Sequence, residues 1–287
     1  MNTKLTTQAV AAFNAGKIEQ SGLLFWRAAH FAPSYYSLHN YAVYLSGNAL
    51  YIPIGGGKYA AIKKQPSILY YLKRAQRLAT IPHWKNEAAL GNACYLQRRP
   101  NEALAYFEQA MLHGYKETLA HFKMGLCYLQ KREDAAARDC FWAAYQAEAN
   151  PVRKSSYLWQ CVQCGVLLKA QSPALYKQFK QQLDRIVQDY PLMSLEAQDM
   201  AALELLNGID AAFWFEDYEE ILHLSKVLLQ LGLSHMLTAD ERRMVDTAQA
   251  LQSHLGQPDA HFRAFPDSTA IYSSPRTALS GTQCLFM

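Results

Sequence analysis

Apolar side chains recur along this chain at helical spacing, broken at short intervals by Pro, Gly and small clusters of charge. That pattern predicts a succession of short helices joined by tight turns. It is clearest from Trp84 to Asn150, where one arrangement is read twice. Gly91 and Gly125 lie 34 residues apart, and so do Ala103 and Ala137, Phe107 and Phe141, and Ala110 and Ala144. Small and aromatic residues recurring in phase need equivalent surroundings, as they would have if one helical hairpin were stacked on a copy of itself. The intervening turns, Arg98-Arg99-Pro100-Asn101-Glu102 and Lys131-Arg132-Glu133-Asp134, put Pro and acidic groups where a second helix begins. Pro fits the first turn of a helix, and negative charge favours its positive end.

Two earlier hairpins follow the same plan. In the first, about 2–35, Ala9 and Ala12 take the small positions, Ser21, Phe25 and Ala28 take those of the second helix, and Pro33 closes the unit. The second opens at Tyr35 and closes with Ile68–Ala79, where Leu72 and Ala75 hold the aromatic and alanine places. Phe25 and Leu72 are 47 residues apart, 13 more than one period, so this hairpin carries an insertion at about 49–66. Its stretch Ala49–Tyr59 is apolar and aromatic, and a linker of this length is either functional or disordered. It is expected to fold back on the helices and to contribute binding contacts through Tyr51, Lys58 and Tyr59.

After Asn150-Pro151 the phase is lost, yet helices are predicted at Val152–Ala170, Pro173–Tyr190, Leu195–Leu206 and Asp217–Leu231. A last one opens at Thr238 and ends near Leu255. Asp217 with Glu220 and Thr238 with Glu241 have capping-box spacing, and Gly232 supplies a left-handed stop. The expected organisation is four repeats over 2–150, degenerate helical repeats with a capping helix over 151–256, and an irregular Pro-, Ser- and Thr-containing tail over 257–287.

Self-similarity at 34 residues, with Gly91 and Gly125 each followed by A-x3-F, resembles the tetratricopeptide repeat. The resemblance implies an all-α solenoid whose first helices line a concave groove that receives a peptide or a partner helix. Its groove-facing places map onto Asn40, Tyr44, Lys85, Asn92 and Lys123. Lys would meet a carboxylate, and Asn would pair with a peptide backbone. Members that clamp a C-terminal carboxylate carry Lys and Asn in the first repeat. This chain has Thr6 and Val10 there, which argues against the standard clamp and leaves a variant built on Asn92 and Lys123.

Composition narrows the class. Hydrophobic residues at 51% against 18% charged exclude a wholly disordered chain, and the net charge of +4 argues against a dedicated nucleic-acid binder. Six cysteines lie mainly within helical patterns, as buried thiols of a reducing compartment would. The polar N-terminus lacks a secretory h-region, and no apolar run approaches the roughly 18 residues needed to span a bilayer. The expectation is a cytoplasmic, soluble protein without a cofactor.

Other motifs carry less. Gly55-Gly56-Gly57-Lys58 lacks the leading Gly and the hydroxyl residue of a phosphate-binding loop. Cys161 and Cys164 have no partner pair at zinc spacing, and no H-E-x-x-H is present. Acidic residues beside Trp214, Glu216 and Asp217, are accounted for by helix capping. The last four residues, Cys284-Leu285-Phe286-Met287, match a prenylation pattern without an upstream polybasic run. The leading expectation is therefore a non-enzymatic protein-binding module acting as adaptor, chaperone or assembly factor. The alternative is an effector-like protein acting at a membrane through a lipidated Cys284.

Overall fold

The computed structural model describes residues 2–47, 51–55, 58–61, 68–168 and 172–255, and among these it contains thirteen α-helices and one β-hairpin. They form two compact units that part between Lys116 and Glu117, one hairpin before the 34-residue phase ends. In the first, α1 (Asn2–Asn14) pairs with α2 (Ile18–Phe31), α3 (Tyr35–Gly47) with α4 (Ile68–Leu78), and α5 (Trp84–Leu96) with α6 (Pro100–Leu112). In the second, α7 (Glu117–Gln130) pairs with α8 (Asp134–Ala147), α9 (Pro151–Leu167) with α10 (Pro173–Asp189), and α11 (Leu195–Trp214) with α12 (Tyr218–Gln230). Helix α13 (Ala239–Leu255) packs on α11 and α12.

The repeated glycines have a steric cause. A Cβ at Gly91 would lie 2.7 Å from the ring of Phe107, and one at Gly125 would lie 2.6 Å from the ring of Phe141. Both rings are fully buried, so each hairpin closes only because its first helix lacks a side chain where the aromatic face arrives. In the second hairpin the aromatic place holds the smaller Leu72, which is also buried.

Four hairpins share one turn. Gly16, Arg98, Arg132 and Glu216 all have positive φ, between 55° and 72°. The next residue donates its N–H five residues back along the first helix: Lys17 to Ala12, Arg99 to Cys94, Glu133 to Tyr128, and Asp217 to Ala212, at 2.8–3.0 Å. The left-handed residue bonds three back in each case. This double bond satisfies the carbonyls that a helix end leaves open. The α11–α12 hairpin, where sequence phase is lost, thus keeps the turn of the regular repeats.

Helix α11 runs to Trp214, eight residues past its expected end. Gly208 lowers helix propensity, but it is buried where a Cβ would come within 2.6 Å of Leu183 and 2.8 Å of Leu224. Packing outweighs propensity there. Around it, Leu158, Phe179, Leu183, Leu205, Ile209 and Leu224 form the centre of the second unit, and Trp159 stacks on Trp214 at 5.0 Å.

Thr238 and Glu241 form the expected reciprocal cap of α13. Asp217 caps Glu220 N–H, but Glu220 turns instead to Lys180 at 3.0 Å. Lys180 and Tyr176 also donate to Asp217, at 2.8 and 2.9 Å, which ties α10 to the start of α12. Burial alone would raise the Asp217 pKa; these donors outweigh it and hold the carboxyl below its ordinary value.

The insertion, read in the sequence only as a long apolar linker, contains a β-hairpin. β1 (Tyr51–Gly55) and β2 (Lys58–Ala61) pair antiparallel with Tyr51 opposite Ala61 and Pro53 opposite Tyr59, and the register is irregular between Pro53 and Gly55. Tyr and Ile favour a pleated strand over helix, which explains the switch. The backbone of β1 runs alongside α2. The all-α solenoid therefore carries one short β-hairpin.

Candidate partner-binding face

In the first unit, α3 and α5 are joined through their interior. His39 Nδ1 donates to Asn86 Oδ1 at 3.2 Å, and Asn86 Nδ2 donates to the Leu72 carbonyl at 3.2 Å. All of Asn86 and most of His39 are buried, and burial pushes the imidazole pKa down, so the link is made by a neutral ring. Outside this link, Asn40 and Asn92 are half-buried and Lys85 is exposed. These three expected groove residues therefore sit on two helices held in fixed relation.

An aromatic run borders them. Tyr35 stacks on His39 at 5.7 Å and approaches His83 at 6.1 Å, and Tyr36 meets Tyr35 edge-on. His83 caps α5 by accepting the Lys85 N–H. Trp84 stacks on Tyr115 at 5.4 Å, with the Lys85 ammonium 5.5 Å over its indole. Glu87 pairs with His113 at 2.7 Å, fastening the base of α5 to the end of α6. Tyr36, second residue of α3 as Lys85 is of α5, is 67% exposed. Phe31 and Tyr70 are exposed as well. The clusters Tyr35-Tyr36 after Pro33-Ser34 and His83-Trp84 after Pro82 were the available sign, since both open a first helix just beyond a proline.

Two expected groove residues lie elsewhere. Tyr44 is only 2% exposed: its hydroxyl donates to the Ile18 carbonyl at 3.2 Å and its ring meets Phe13 and Phe25. It fills space left by Gly22, and so belongs to the core of the first two hairpins. Lys123, in the second unit, is 8% exposed. Thr6 and Val10 line a depression of about 350 Å³ on α1 with Thr7, Ala11 and Asn14, a lining without any cation. For Tyr51, Lys58 and Tyr59 the described part is the strand backbone. Cys284 lies outside the described residues, as do Gly56 and Gly57.

The remaining candidate chemistry is structural. Burial raises the thiol pKa values of Cys161 and Cys164, the latter to about 12, which keeps both protonated and unreactive. Among the described residues no group of three His, Cys, Asp or Glu could hold a metal ion, and no helix is long and apolar enough to cross a membrane. Glu204 is buried on α11, and burial lifts its carboxyl to about 8 against hydrogen bonds from Asn207, Ser156 and Ser155.

Charge is unevenly divided, which the modest total conceals. Residues 1–116 hold thirteen Lys and Arg against four Glu and no Asp, a net +9; residues 117–287 hold fifteen against twenty, a net −5. Counting charge by segment would have found this in the sequence.

No family model matches the sequence, and no curated protein matches it. Solved structures do match its fold. One, from a functional characterization of Pseudomonas aeruginosa PilF, superposes with a TM-score of 0.56 at 17% identity, over 87% of this chain and 97% of that one. Another, the apo form of RapI, gives 0.52 at 11% identity, over 89% of this chain and 72% of the other. Both are tetratricopeptide-repeat proteins. The fold is an α-solenoid of that type. At these identities the likeness speaks to architecture alone.

Proposed function

We propose that this chain is a non-enzymatic protein-interaction module that receives a peptide or partner segment along α3 and α5 of its first unit, in an adaptor, chaperone or assembly role. The observation that supports it is the rigid face on which Asn40, Lys85 and Asn92 stand beside the exposed Tyr36 and the Trp84 stack. Such a face meets two needs of recognition. The His39–Asn86 link limits the ordering cost of binding, and Tyr and Trp are among the residue types that dominate interface energies. Tyr44 and Lys123, being buried, are left out of the contact set.

The test is recovery of a partner by affinity capture, followed by titration calorimetry. Tyr36→Ala and the pair Lys85→Ala with Asn92→Ala are each expected to weaken binding by about 1–2 kcal/mol, roughly five- to thirtyfold. Affinities unchanged within about 0.5 kcal/mol in both variants would remove α3 and α5 from the interface.

A further inference from the structure

Helix α4 is the second helix of its hairpin, so its outer side belongs to the other helix layer from the face just described. Tyr70, Lys73, Arg74 and Arg77 follow one another at steps of three, one and three residues, which places them on one side of the helix. The opposite side, Leu69, Leu72 and Ala75, is buried. Tyr70 is 57% exposed, and the four residues line a shallow depression of about 270 Å³. Helix α4 contains no Asp or Glu.

Some cations elsewhere are paired: Arg99 with Glu102, Lys131 with Glu133 at 3.0 Å, and Lys180 with both Asp217 and Glu220. Among the described residues none of Lys73, Arg74 and Arg77 has a carboxylate within ion-pair distance. Like charges at these spacings oppose helix formation, so the stripe costs stability in the isolated chain. It also lies within residues 1–116, the segment that carries the net +9.

We propose that the Tyr70–Arg77 stripe docks an acidic segment of a partner protein, with carboxylates on the three cations and an apolar residue against Tyr70. Arg guanidinium groups match carboxylates with two parallel hydrogen bonds, and Tyr supplies area at small entropic cost. The stripe is about 10 Å long, two helical turns, after which the surface becomes apolar at Leu78 and Ile81, which are 47% and 76% exposed. A short acidic segment with apolar residues fits that sequence of surfaces, whereas a phosphate backbone needs a longer basic track. A bilayer would need an apolar helix side to enter it, and that side of α4 is already buried in the core. This surface is separate from the α3–α5 face, and its test is independent of it.

The full chain would be titrated into a fluorescein-labelled Glu-rich peptide carrying Leu at every fourth place, followed by anisotropy at low and high salt. Oligo-dT and phosphatidylserine vesicles would serve as competitors. The expected result is salt-sensitive binding that falls at least about tenfold in Lys73→Glu/Arg74→Glu/Arg77→Glu, with an unchanged melting temperature. The milder Lys73→Gln/Arg77→Gln pair is expected to lose about threefold, and it serves if the triple variant misfolds. Reversal of Lys17, Arg27 and Arg98, equal in charge, is expected to cost less than about threefold. Equal losses in both reversals, no loss in the stripe variants, or tighter binding of oligo-dT or vesicles than of the peptide would overturn the proposal.

Discussion

The hairpin α5–α6 in the first unit and the hairpin α7–α8 in the second are the same construction twice, with the same Gly–Phe closure and the same left-handed Arg in the turn. Away from that pair the two units diverge. The first is basic, and its interior polar link is the neutral His39–Asn86 contact. The second is acidic, buries Glu204 outright, and fastens α10 to α12 through Lys180, Asp217 and Glu220. The regular hairpin closes by shape, as one missing Cβ admits a ring. In the α11–α12 hairpin, Gly208 admits two leucines and charged groups hold the neighbouring helix. The turn is common to both solutions because it depends on backbone hydrogen bonding, which tolerates Gly, Arg or Glu at the left-handed position.

The largest expected effect comes from breaking the shared closure on each side. Phe107→Ala and Phe141→Ala should each cost about 3–5 kcal/mol, read by urea unfolding. Phe141→Ala is expected to cost more, because Phe141 also meets Phe122 at 5.7 Å, and Phe122 in turn meets Tyr157 at 5.1 Å. Equal costs would show that the second unit gains nothing from this extended aromatic contact.

Next is the buried carboxyl that sets the second unit apart. Because the Glu204 carboxyl is lifted from 4.5 to about 8, the folded chain keeps a proton that the unfolded chain has lost. Stability should therefore fall as pH rises from about 4.5 to about 8, by up to about 4 kcal/mol. Glu204→Gln, measured by urea unfolding across that range, should flatten the slope. A variant with the same slope as the parent would place the pH dependence elsewhere.

The smallest effect tests what the two units share. Arg98→Gly in the first unit, and Arg132→Gly and Glu216→Gly in the second, relieve the side-chain strain of positive φ. Each should raise stability by up to about 1 kcal/mol in thermal melts, since the relief exceeds the entropy that glycine adds to the unfolded chain. A loss of stability at any one site would show that its side chain contributes contacts of its own.

Much of the fold was legible from the residues. The 34-residue recurrence marked the hairpins, Pro100 and Asn150-Pro151 marked helix starts, and Thr238 with Glu241 marked the last cap. Of the residues expected to line a groove, Asn40, Lys85 and Asn92 are at least partly accessible on α3 and α5, while Tyr44 and Lys123 are buried. Tyr44 was misplaced because helical spacing cannot tell which of two semi-apolar sides a neighbouring helix will cover. The β-hairpin was missed because an apolar, aromatic insertion reads alike as loop or strand.

What the sequence determined by itself was therefore local: helix periods, the left-handed turns and the alternation of small with aromatic residues, all set by groups within one or two hairpins. Only the tertiary structure decided which distant residues became partners, as with His39 and Asn86, Tyr71 and His30, or Tyr176 and Asp217. It also decided which polar groups lost water, Glu204 above all. The physical reason is that burial and pairing depend on how whole helices come together, and periodicity along a chain does not carry that information.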